Sequence, residues 1–315
     1  MDLRQILNIK YPIIQGAMAR IATGEFAAVV SRAGGLGLIA SGGLTADQVR
    51  EQIHILRGLT DKPFGVNLML MQDCDDIAEL VIEEGVKIVT TGAGNPAKYM
   101  EKWKDAGIKV FPIIPGVALA RRMEQYGADG VIVEGTEAGG HVGEATTMAL
   151  VPQVVDAVKI PVVVAGGIAD RRQMLAAYAL GACGVQVGTV LLASVECPIH
   201  DNYKQAVLTA RDNSTVVTGR SGGAPVRILR NQMSNEYIKL ENSGATRDEL
   251  EQLTLGGLSR AVYQGDTARG SLMAGQVAGM LREIKPVAMI LEELFSGCRE
   301  AYEKLGAHPV FGGET

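Results

Sequence analysis

The chain has 315 residues, of which 47% are hydrophobic and 21% charged, and its net charge is -5. This composition predicts a globular protein with a large core and argues against a general nucleic-acid or membrane-surface binder. No apolar run approaches the roughly 18–20 residues of a transmembrane helix, and the N-terminus lacks a signal-peptide layout. Because the four cysteines form no Cys-x-x-Cys pair, we expect a cytoplasmic protein with reduced thiols and no metal site.

Short apolar runs alternate with amphipathic segments in a regular rhythm up to residue 189. The eight runs lie at 12–14, 36–40, 64–68, 86–91, 109–114, 130–133, 162–165 and 184–187. The segments between them predict helices at 24–33, 45–57, 75–84, 97–106, 170–180 and between Gly116 and Gly127. Near-continuous apolar strands alternating with helices indicate an α/β protein with a parallel sheet covered by helices. Eight such units favour a (β/α)8 TIM barrel over the alternative, a doubly wound sheet.

The alternation of apolar runs and amphipathic segments stops after Thr189. From about residue 203 to 269 no further βα units follow, and 221–225 marks an irregular section. An amphipathic helix is predicted at 286–305, with Leu291, Leu294 and Phe295 on one face. We therefore predict a barrel at 1–202, an inserted, mostly helical lid subdomain at 203–272, and a C-terminal segment at 273–315 that returns to the barrel.

Small and polar residues are concentrated at one end of the predicted strands. Functional loops of such barrels lie at the carboxyl ends of the strands, whereas the opposite ends carry ordinary helix stops such as Gly107 and Gly127. The carboxyl ends here carry 15–18, Asn67, 92–95, 134–141, 166–167 and 188–189. This asymmetry predicts a ligand site on that rim.

The segment 134–143 combines a histidine, two glutamates and several glycines after the sixth strand. His141 is the one histidine of four set among glycines where a strand ends, and imidazole exchanges protons near neutral pH. Glu134, at the strand end, is placed to contact a ligand, whereas Glu137 is equally consistent with a solvated carboxylate. A surface turn with an incidental histidine is the alternative for the whole segment. His54, His200 and His308 are predicted to be surface or structural residues.

Gly166-Gly167 and Gly188-Thr189 end the seventh and eighth strands, where barrels often bind phosphate through free backbone N–H groups. Two tight turns are the alternative. A dinucleotide site of the Gly-x-Gly type is not expected. Gly35-Leu36-Gly37 precedes a strand, and no acidic residue for a ribose follows at the strand end after Gly92-Ala93-Gly94. A phosphorylated ligand such as flavin mononucleotide (FMN) fits this pattern.

The segments 11–16, 33–37, 62–67, 90–96, 134–143, 165–169, 186–189 and 273–276 match one known family in the same order. They resemble the flavin-dependent enoyl-[acyl carrier protein] reductases of the FabK type, which belong with the nitronate monooxygenases. The resemblance covers nearly the whole chain. It departs at Ala17 and Arg20, where the family usually has glycine and tryptophan, which leaves the local packing and substrate preference open.

The resemblance implies that the protein reduces trans-2-enoyl-[acyl carrier protein], the last step of the bacterial fatty-acid elongation cycle. It implies FMN as cofactor, NADH or NADPH as co-substrate, and His141 as the active-site residue facing the substrate. A monovalent cation and a homodimeric state are further expectations of the resemblance. The residues implied to line the FMN are Gly16, Ala17, Met18, Asn67, Glu134, Gly166, Gly167, Gly188, Thr189, Met273, Gly275 and Gln276.

Two other functions stay open at this point. One is a nitronate monooxygenase, in which His141 would abstract a proton and the reduced flavin would meet oxygen. The other is a barrel that binds a flavin or phosphate ligand without turnover. The acyl carrier protein is an acidic partner, and a local excess of cations is a candidate docking face for it, although a solvated face is equally consistent with them. These cations are Lys204, Arg211, Arg220, Arg227 and Arg230.

Overall fold

The computed structural model describes residues 1–308. The strands in this part of the chain are β1 (Ile13–Gln15), β2 (Gly37–Ala40), β3 (Phe64–Met69), β4 (Ile88–Gly92), β5 (Lys109–Ile114), β6 (Val131–Glu134), β7 (Gly140–His141), β8 (Val162–Ala165), β9 (Gly184–Val187), β10 (Thr215–Thr218) and β11 (Val226–Leu229). The α-helices are α1 (Leu3–Leu7), α2 (Gly24–Ala33), α3 (Ala46–Leu59), α4 (Asp75–Glu83), α5 (Ala97–Asp105), α6 (Val117–Gln125), α7 (Thr147–Val155), α8 (Arg171–Ala179), α9 (Thr189–Leu192), α10 (Asp201–Leu208), α11 (Gln232–Asn242), α12 (Arg247–Thr254), α13 (Gly257–Gln264) and α14 (Val287–Gly306). A 3₁₀ helix spans Gln276–Met280.

Eight parallel strands form the barrel, in the order β1-β9-β8-β6-β5-β4-β3-β2. The two end strands meet through Leu36: the Gln15 amide donates to the Leu36 carbonyl and the Leu36 amide donates to the Ile13 carbonyl, each at 2.9 Å. The α/β class and the eight-stranded barrel predicted from the sequence are therefore confirmed, because each of the eight apolar runs forms one strand.

Side chains from alternating strand positions fill the barrel, so its interior is a packed core and its ligand site must lie at an end. Leu3 and Leu7 of α1 belong to this interior cluster and close the amino-terminal end. The fully buried interior side chains include Ile14, Leu38, Phe111, Ile132 and Val163. A second, larger apolar layer lies between the strands and the surrounding helices.

The predicted helices begin and end within about two residues of the observed ones, because local side chains fix their ends. Thr23 caps α2 by accepting from the Phe26 amide, and Thr45 and Gln48 form a capping box at α3. Helix α7 was not predicted. Its sequence is apolar at most positions and contains Pro152, so it lacks the amphipathic pattern that indicates a surface helix.

The segment after the barrel contains four helices, α10 to α13, together with a hairpin formed by β10 and β11. The hairpin joins β7 from the loop after β6, which gives a three-stranded antiparallel sheet. The section around Gly222, which the sequence marked only as irregular, is thus the turn of a β-hairpin. Gly219 and Gly223 adopt positive φ angles of 78° and 72° there.

Helix α14 returns to the barrel and packs against α8 and α2. Leu291 and Leu294 are buried, and the Phe295 ring lies 5.4 Å from the Tyr11 ring. The predicted face of this helix is therefore the buried one. Within residues 1–308, no helix has both the length and the apolar character needed to cross a membrane.

Candidate active site

A cavity of about 260 Å³ opens at the carboxyl ends of the barrel strands. Ten of the twelve residues predicted to line a cofactor line this cavity, and so does His141. The ten are Gly16, Ala17, Met18, Asn67, Glu134, Gly166, Gly167, Gly188, Thr189 and Met273. Residues far apart in sequence thus meet at one site, as the strand count predicts.

Gly275 and Gln276 do not line this cavity. The Gly275 amide donates to Oγ1 of Thr189 at 2.9 Å, and the Gln276 amide donates to the Glu137 carbonyl at 2.9 Å. A Cβ atom at Gly275 would lie 2.6 Å from the Glu137 carbonyl oxygen, so only glycine fits this contact. The two residues hold their segment against the loop after β6, and the Gln276 side chain is exposed.

The turns after β8 and β9 present free amide groups to the cavity. Gly166 and Gly167 adopt positive φ angles of 86° and 79°, which favour glycine. Among residues 1–308, no acceptor is found for the amides of Gly167 and Gly188. Unsatisfied backbone N–H groups beside a cavity are suited to bind an anion such as a phosphate.

Glu134 ends β6, paired in register with Ala165 of β8. Its carboxyl faces the cavity, and no side-chain hydrogen bond to it is found within residues 1–308. Removal from water raises the pKa of Glu134 to about 8. The carboxyl is therefore largely protonated at neutral pH and can donate a hydrogen bond to a ligand.

His141 lies on β7 at the exposed edge of the same cavity. Its strand is held by pairing with Val226 of β11, and Gly140 turns into it with a φ angle of 80°. The surrounding walls partly desolvate the imidazole, which lowers its pKa below the ordinary value of 6.5. The ring is therefore neutral at pH 7 and presents one N–H donor and one acceptor.

Glu137 lines the cavity, but its carboxylate is engaged elsewhere. The Thr147 amide donates to both carboxylate oxygens at 3.0 Å, and the Thr147 hydroxyl donates to Oε2 at 2.9 Å. This carboxylate anchors the first turn of α7, where a negative charge is favourable. It is neither a solvated loop residue nor a free group in the site.

Arg227 supports the loop that carries His141, a role that the sequence did not indicate. Its side chain is buried, and Nε and Nη2 donate to the Thr136 carbonyl at 3.1 and 3.0 Å. Lys204 is also buried, with Nζ donating to the Val195 carbonyl at 3.1 Å. Counting these two cations in a docking face was therefore wrong, whereas Arg211, Arg220 and Arg230 are exposed.

The cavity wall contains a polar residue that sequence reasoning missed, Gln186, and a hydrogen bond fixes the side chain of the predicted Asn67. Gln186 lines the cavity and donates from Nε2 to the Gln15 carbonyl at 3.3 Å. Asn67 donates from Nδ2 to Oγ1 of Thr90 at 2.9 Å, which leaves its own Oδ1 as an acceptor. A polar residue within an otherwise apolar strand is the signal that could have identified Gln186.

The two departures from the family pattern lie on the loop after β1. Ala17 lines the cavity and packs against the interior cluster. Arg20 adopts a left-handed φ of 64°, and its carbonyl accepts a hydrogen bond from the Tyr263 hydroxyl at 3.4 Å. The backbone at Arg20 is thus in contact with α13.

Comparison with known proteins identifies a family and several relatives that carry different names. The family model described as nitronate monooxygenase matches residues 2–297. The structure of FabK from Thermotoga maritima superimposes with a TM-score of 0.94 at 47% identity, over 97% of this chain and 98% of that chain.

Two curated relatives cover most of the chain. One is the (3aS,4S,5R,7aS)-5-hydroxy-7a-methyl-1-oxo-octahydro-1H-indene-4-carboxyl-CoA dehydrogenase of Mycobacterium tuberculosis, 32% identical over 93% of this chain and 94% of the relative. The other is a probable nitronate monooxygenase of Staphylococcus saprophyticus, 34% identical over 90% of this chain and 94% of the relative.

Proposed function

The chain belongs to the nitronate monooxygenase family as a FabK-type member, and we propose that it reduces trans-2-enoyl thioesters on the acyl carrier protein. The reaction consumes NADH or NADPH and one proton and yields the saturated acyl thioester. The similarity of the chain to FabK over nearly its whole length supports this proposed reaction. One relative of the chain is named for a coenzyme A thioester.

The observation that carries the proposal is a single cavity that combines acceptor-free amides with a neutral histidine. Such a cavity fits FMN. The amides of Gly167 and Gly188 would hold its phosphate, and the protonated Glu134 carboxyl and the free Oδ1 of Asn67 would meet its polar ring edge. When bound, FMN supplies hydride chemistry between the nicotinamide and the β-carbon of the enoyl thioester.

His141 is the residue that we assign to the substrate. A neutral imidazole N–H would donate a hydrogen bond to the thioester carbonyl, where negative charge develops as hydride reaches the β-carbon. The proton that completes the reaction goes to the α-carbon. Because the imidazole is neutral at pH 7, hydrogen-bond donation suits it better than delivery of that proton.

An anaerobic assay tests the function directly. Purified yellow protein is mixed with NADH or NADPH and crotonyl thioester, and formation of butyryl thioester is measured against nicotinamide oxidation. We expect one nicotinamide oxidised for each thioester reduced. No reduction with either nicotinamide would exclude the proposed activity.

Replacement of His141 tests its role. The variant His141→Ala should keep FMN but lose about 10²–10³-fold in turnover, the usual effect of removing one oxyanion donor. Asparagine at this position, as a shorter N–H donor, should recover part of the rate. Reduction by His141→Ala at the wild-type rate, with FMN bound, would contradict the assignment.

Nitronate monooxygenase activity is the second candidate, favoured by the family model and by the Staphylococcus relative. In that reaction His141 would take a proton from the substrate. Oxygen uptake with an alkyl nitronate, in the absence of NAD(P)H, would support it. Yellow protein that neither NAD(P)H nor a nitronate bleaches would instead indicate a flavin-binding barrel without turnover.

The acyl carrier protein is the partner that we propose, with the exposed Arg211, Arg220 and Arg230 as its docking cations. Charge reversal by Arg230→Glu should raise KM for the carrier-linked substrate several-fold more than for its coenzyme A analogue. Equal changes for both substrates would place the docking face elsewhere. A homodimeric state and a monovalent-cation requirement stay predictions of the family resemblance.

A further inference from the structure

A second cavity, of about 380 Å³, lies in the lid between the β10–β11 hairpin and helices α11 and α12. Its apolar wall includes Ile228, Met233 and Leu250, which form a small cluster of their own. Hydroxyl-bearing residues make up much of the remaining wall. They are Thr218, Ser221, Tyr237, Thr254 and Ser271. The cavity therefore suits a ligand that alternates apolar and polar groups.

Tyr237 presents its hydroxyl to the cavity. The residue as a whole is only 8% exposed, but its hydroxyl oxygen is still accessible, and no hydrogen bond to it is found within the part of the chain that the structure describes. The hydroxyl can therefore exchange a contact with water for a hydrogen bond with an amide or hydroxyl group of a ligand.

Arg220 adds a positive charge at the rim. Its neighbours Gly219 and Ser221 line the cavity, and its exposed guanidinium forms no ion pair with residues 1–308. By contrast, the lining residue Arg247 is neutralised by Glu251 at 2.6 Å. The rim thus carries one arginine that is free to meet an anion.

Strand register brings this cavity next to the one that contains His141. His141 pairs with Val226, and Met273 forms a bridge with Ile228. Directly opposed residues of antiparallel strands project from the same face, with Cβ atoms about 4.5–5.5 Å apart. His141 and Met273 line the first cavity, whereas Val226 and Ile228 line the second. The two cavities therefore adjoin along one face of the small sheet.

We propose that the second cavity binds the phosphopantetheine arm of the thioester substrate, an inference that rests on the proposed function. The arm carries two amides and a hydroxyl between apolar carbons and ends in a phosphate. These groups match the hydroxyl-bearing residues, the apolar wall and the arginine at the rim. A plain alkyl tail, the other possible occupant, would displace water from the Tyr237 hydroxyl without replacing its hydrogen bond. Coenzyme A and the acyl carrier protein share this arm, so both should use the cavity.

A set of crotonyl thioesters tests the inference with the acyl group held constant. The carriers are N-acetylcysteamine, pantetheine, 4′-phosphopantetheine and the phosphopantetheinylated acyl carrier protein. In the wild-type holoenzyme, kcat/KM should rise at least tenfold from N-acetylcysteamine to pantetheine and again on adding the phosphate. Any further rise with the carrier protein reports protein docking rather than the arm.

Two variants test which residue accounts for each of the two rises in kcat/KM. Tyr237→Phe should lower kcat/KM about three- to tenfold for every thioester with pantetheine, and leave the N-acetylcysteamine thioester within twofold. Arg220→Gln should lower kcat/KM only for carriers with the phosphate. The exposed residues Tyr126 and Arg121 provide the controls Tyr126→Phe and Arg121→Gln, which should change neither increase. Equal losses for all carriers, or a changed preference between crotonyl and dec-2-enoyl N-acetylcysteamine, would overturn the inference.

Binding without turnover separates this inference from the proposed reaction. Titration calorimetry with butyryl-4′-phosphopantetheine, an unreactive thioester, should give a Kd that Tyr237→Phe and Arg220→Gln each weaken by at least threefold. If wild-type protein reduces no enoyl thioester but still shows this pattern, only the proposed reaction fails. If it reduces crotonyl thioesters but binds the arm no better than butyryl-N-acetylcysteamine, only the cavity assignment fails.

Discussion

Glu134 and His141 face the same cavity, and desolvation favours the uncharged form of each. The pKa of the carboxyl rises to about 8, whereas the pKa of the imidazole falls below 6.5. At neutral pH the two residues thus provide hydrogen-bonding groups without charge. A cavity of this kind can hold a polar ring system and a thioester carbonyl beside two uncharged hydrogen-bonding groups.

The raised pKa of Glu134 predicts a stability that depends on pH. Between the ordinary value of 4.5 and about 8, the folded state binds more protons at this carboxyl than the unfolded state does. The free energy of unfolding should therefore fall as pH rises through that window. Glutamine stays neutral, so Glu134→Gln should remove this contribution.

Thermal unfolding of flavin-free protein at pH 5 and pH 8 measures the effect. We expect the Tm difference between Glu134→Gln and wild type to grow by at least about 1.5 °C from pH 5 to pH 8, equivalent to ~1 kcal/mol for a chain of 315 residues. The exposed Glu144 in the same loop gives the control Glu144→Gln, which should show no such trend. Parallel pH curves for Glu134→Gln and wild type would mean that this carboxyl is ionised in the folded protein.

Three separate segments assemble the site around the loop after β6. Strand β7 pairs with β11, while the amides of Gly275 and Gln276, at the start of the 3₁₀ helix, donate to Thr189 and Glu137. The position of His141 therefore depends on elements that lie far along the chain.

Arg227 is the side chain that ties the hairpin to this loop. Arg227→Gln would leave the Thr136 carbonyl without its two donors, and a hydrogen bond to a charged group contributes about 1.5–3 kcal/mol. We expect a loss of about 2–3 kcal/mol in the free energy of unfolding, measured by urea denaturation. The rate of enoyl reduction should fall more in kcat than it changes in KM. Arg230→Gln, at an exposed position on the same segment, should stay within about 0.5 kcal/mol of wild type.

Gly139 marks a close approach between two backbones. A Cβ atom there would lie 2.6 Å from the carbonyl carbon of Ala274 and 2.7 Å from the Gly275 nitrogen. Since backbone cannot move as a flexible side chain does, Gly139→Ala should cost about 1–3 kcal/mol of stability and weaken FMN binding. Gly116→Ala, where nothing lies within 4 Å of the added atom, is the matched control. Normal FMN affinity in Gly139→Ala would show that the cavity tolerates separation of these segments.

For the whole molecule, the sequence was sufficient to predict the barrel because each strand is a local apolar run and each helix has local caps. The same periodicity predicted a ligand site at the carboxyl ends of the strands. Asn67, Glu134 and His141 do lie at one cavity there. Strand pairs formed by segments far apart in sequence were not predictable in this way. Two-residue β7 has no strand pattern of its own, and it exists because β11 offers a free edge.

The placement of charged and polar groups was also beyond local reasoning. Arg227 and Arg230 lie three positions apart with the same charge, yet one is buried against a carbonyl and the other is exposed. Gly275 and Gln276 follow the motif of the family, but their amides are bonded to Thr189 and Glu137. Such outcomes depend on which backbone groups happen to face a side chain in three dimensions.

The pairing of β7 with β11 also has a consequence for how the protein is made. The barrel strands end at Val187, but the loop that carries His141 finds its strand partner only at Val226 and Arg227. During synthesis, a nascent chain could therefore close its barrel well before its cofactor pocket has a complete wall. Flavin loading should be a late event, after the segment through Gln276 has left the ribosome. We therefore expect the distance along the chain between this loop and its supporting strand to delay cofactor binding until after the barrel has folded.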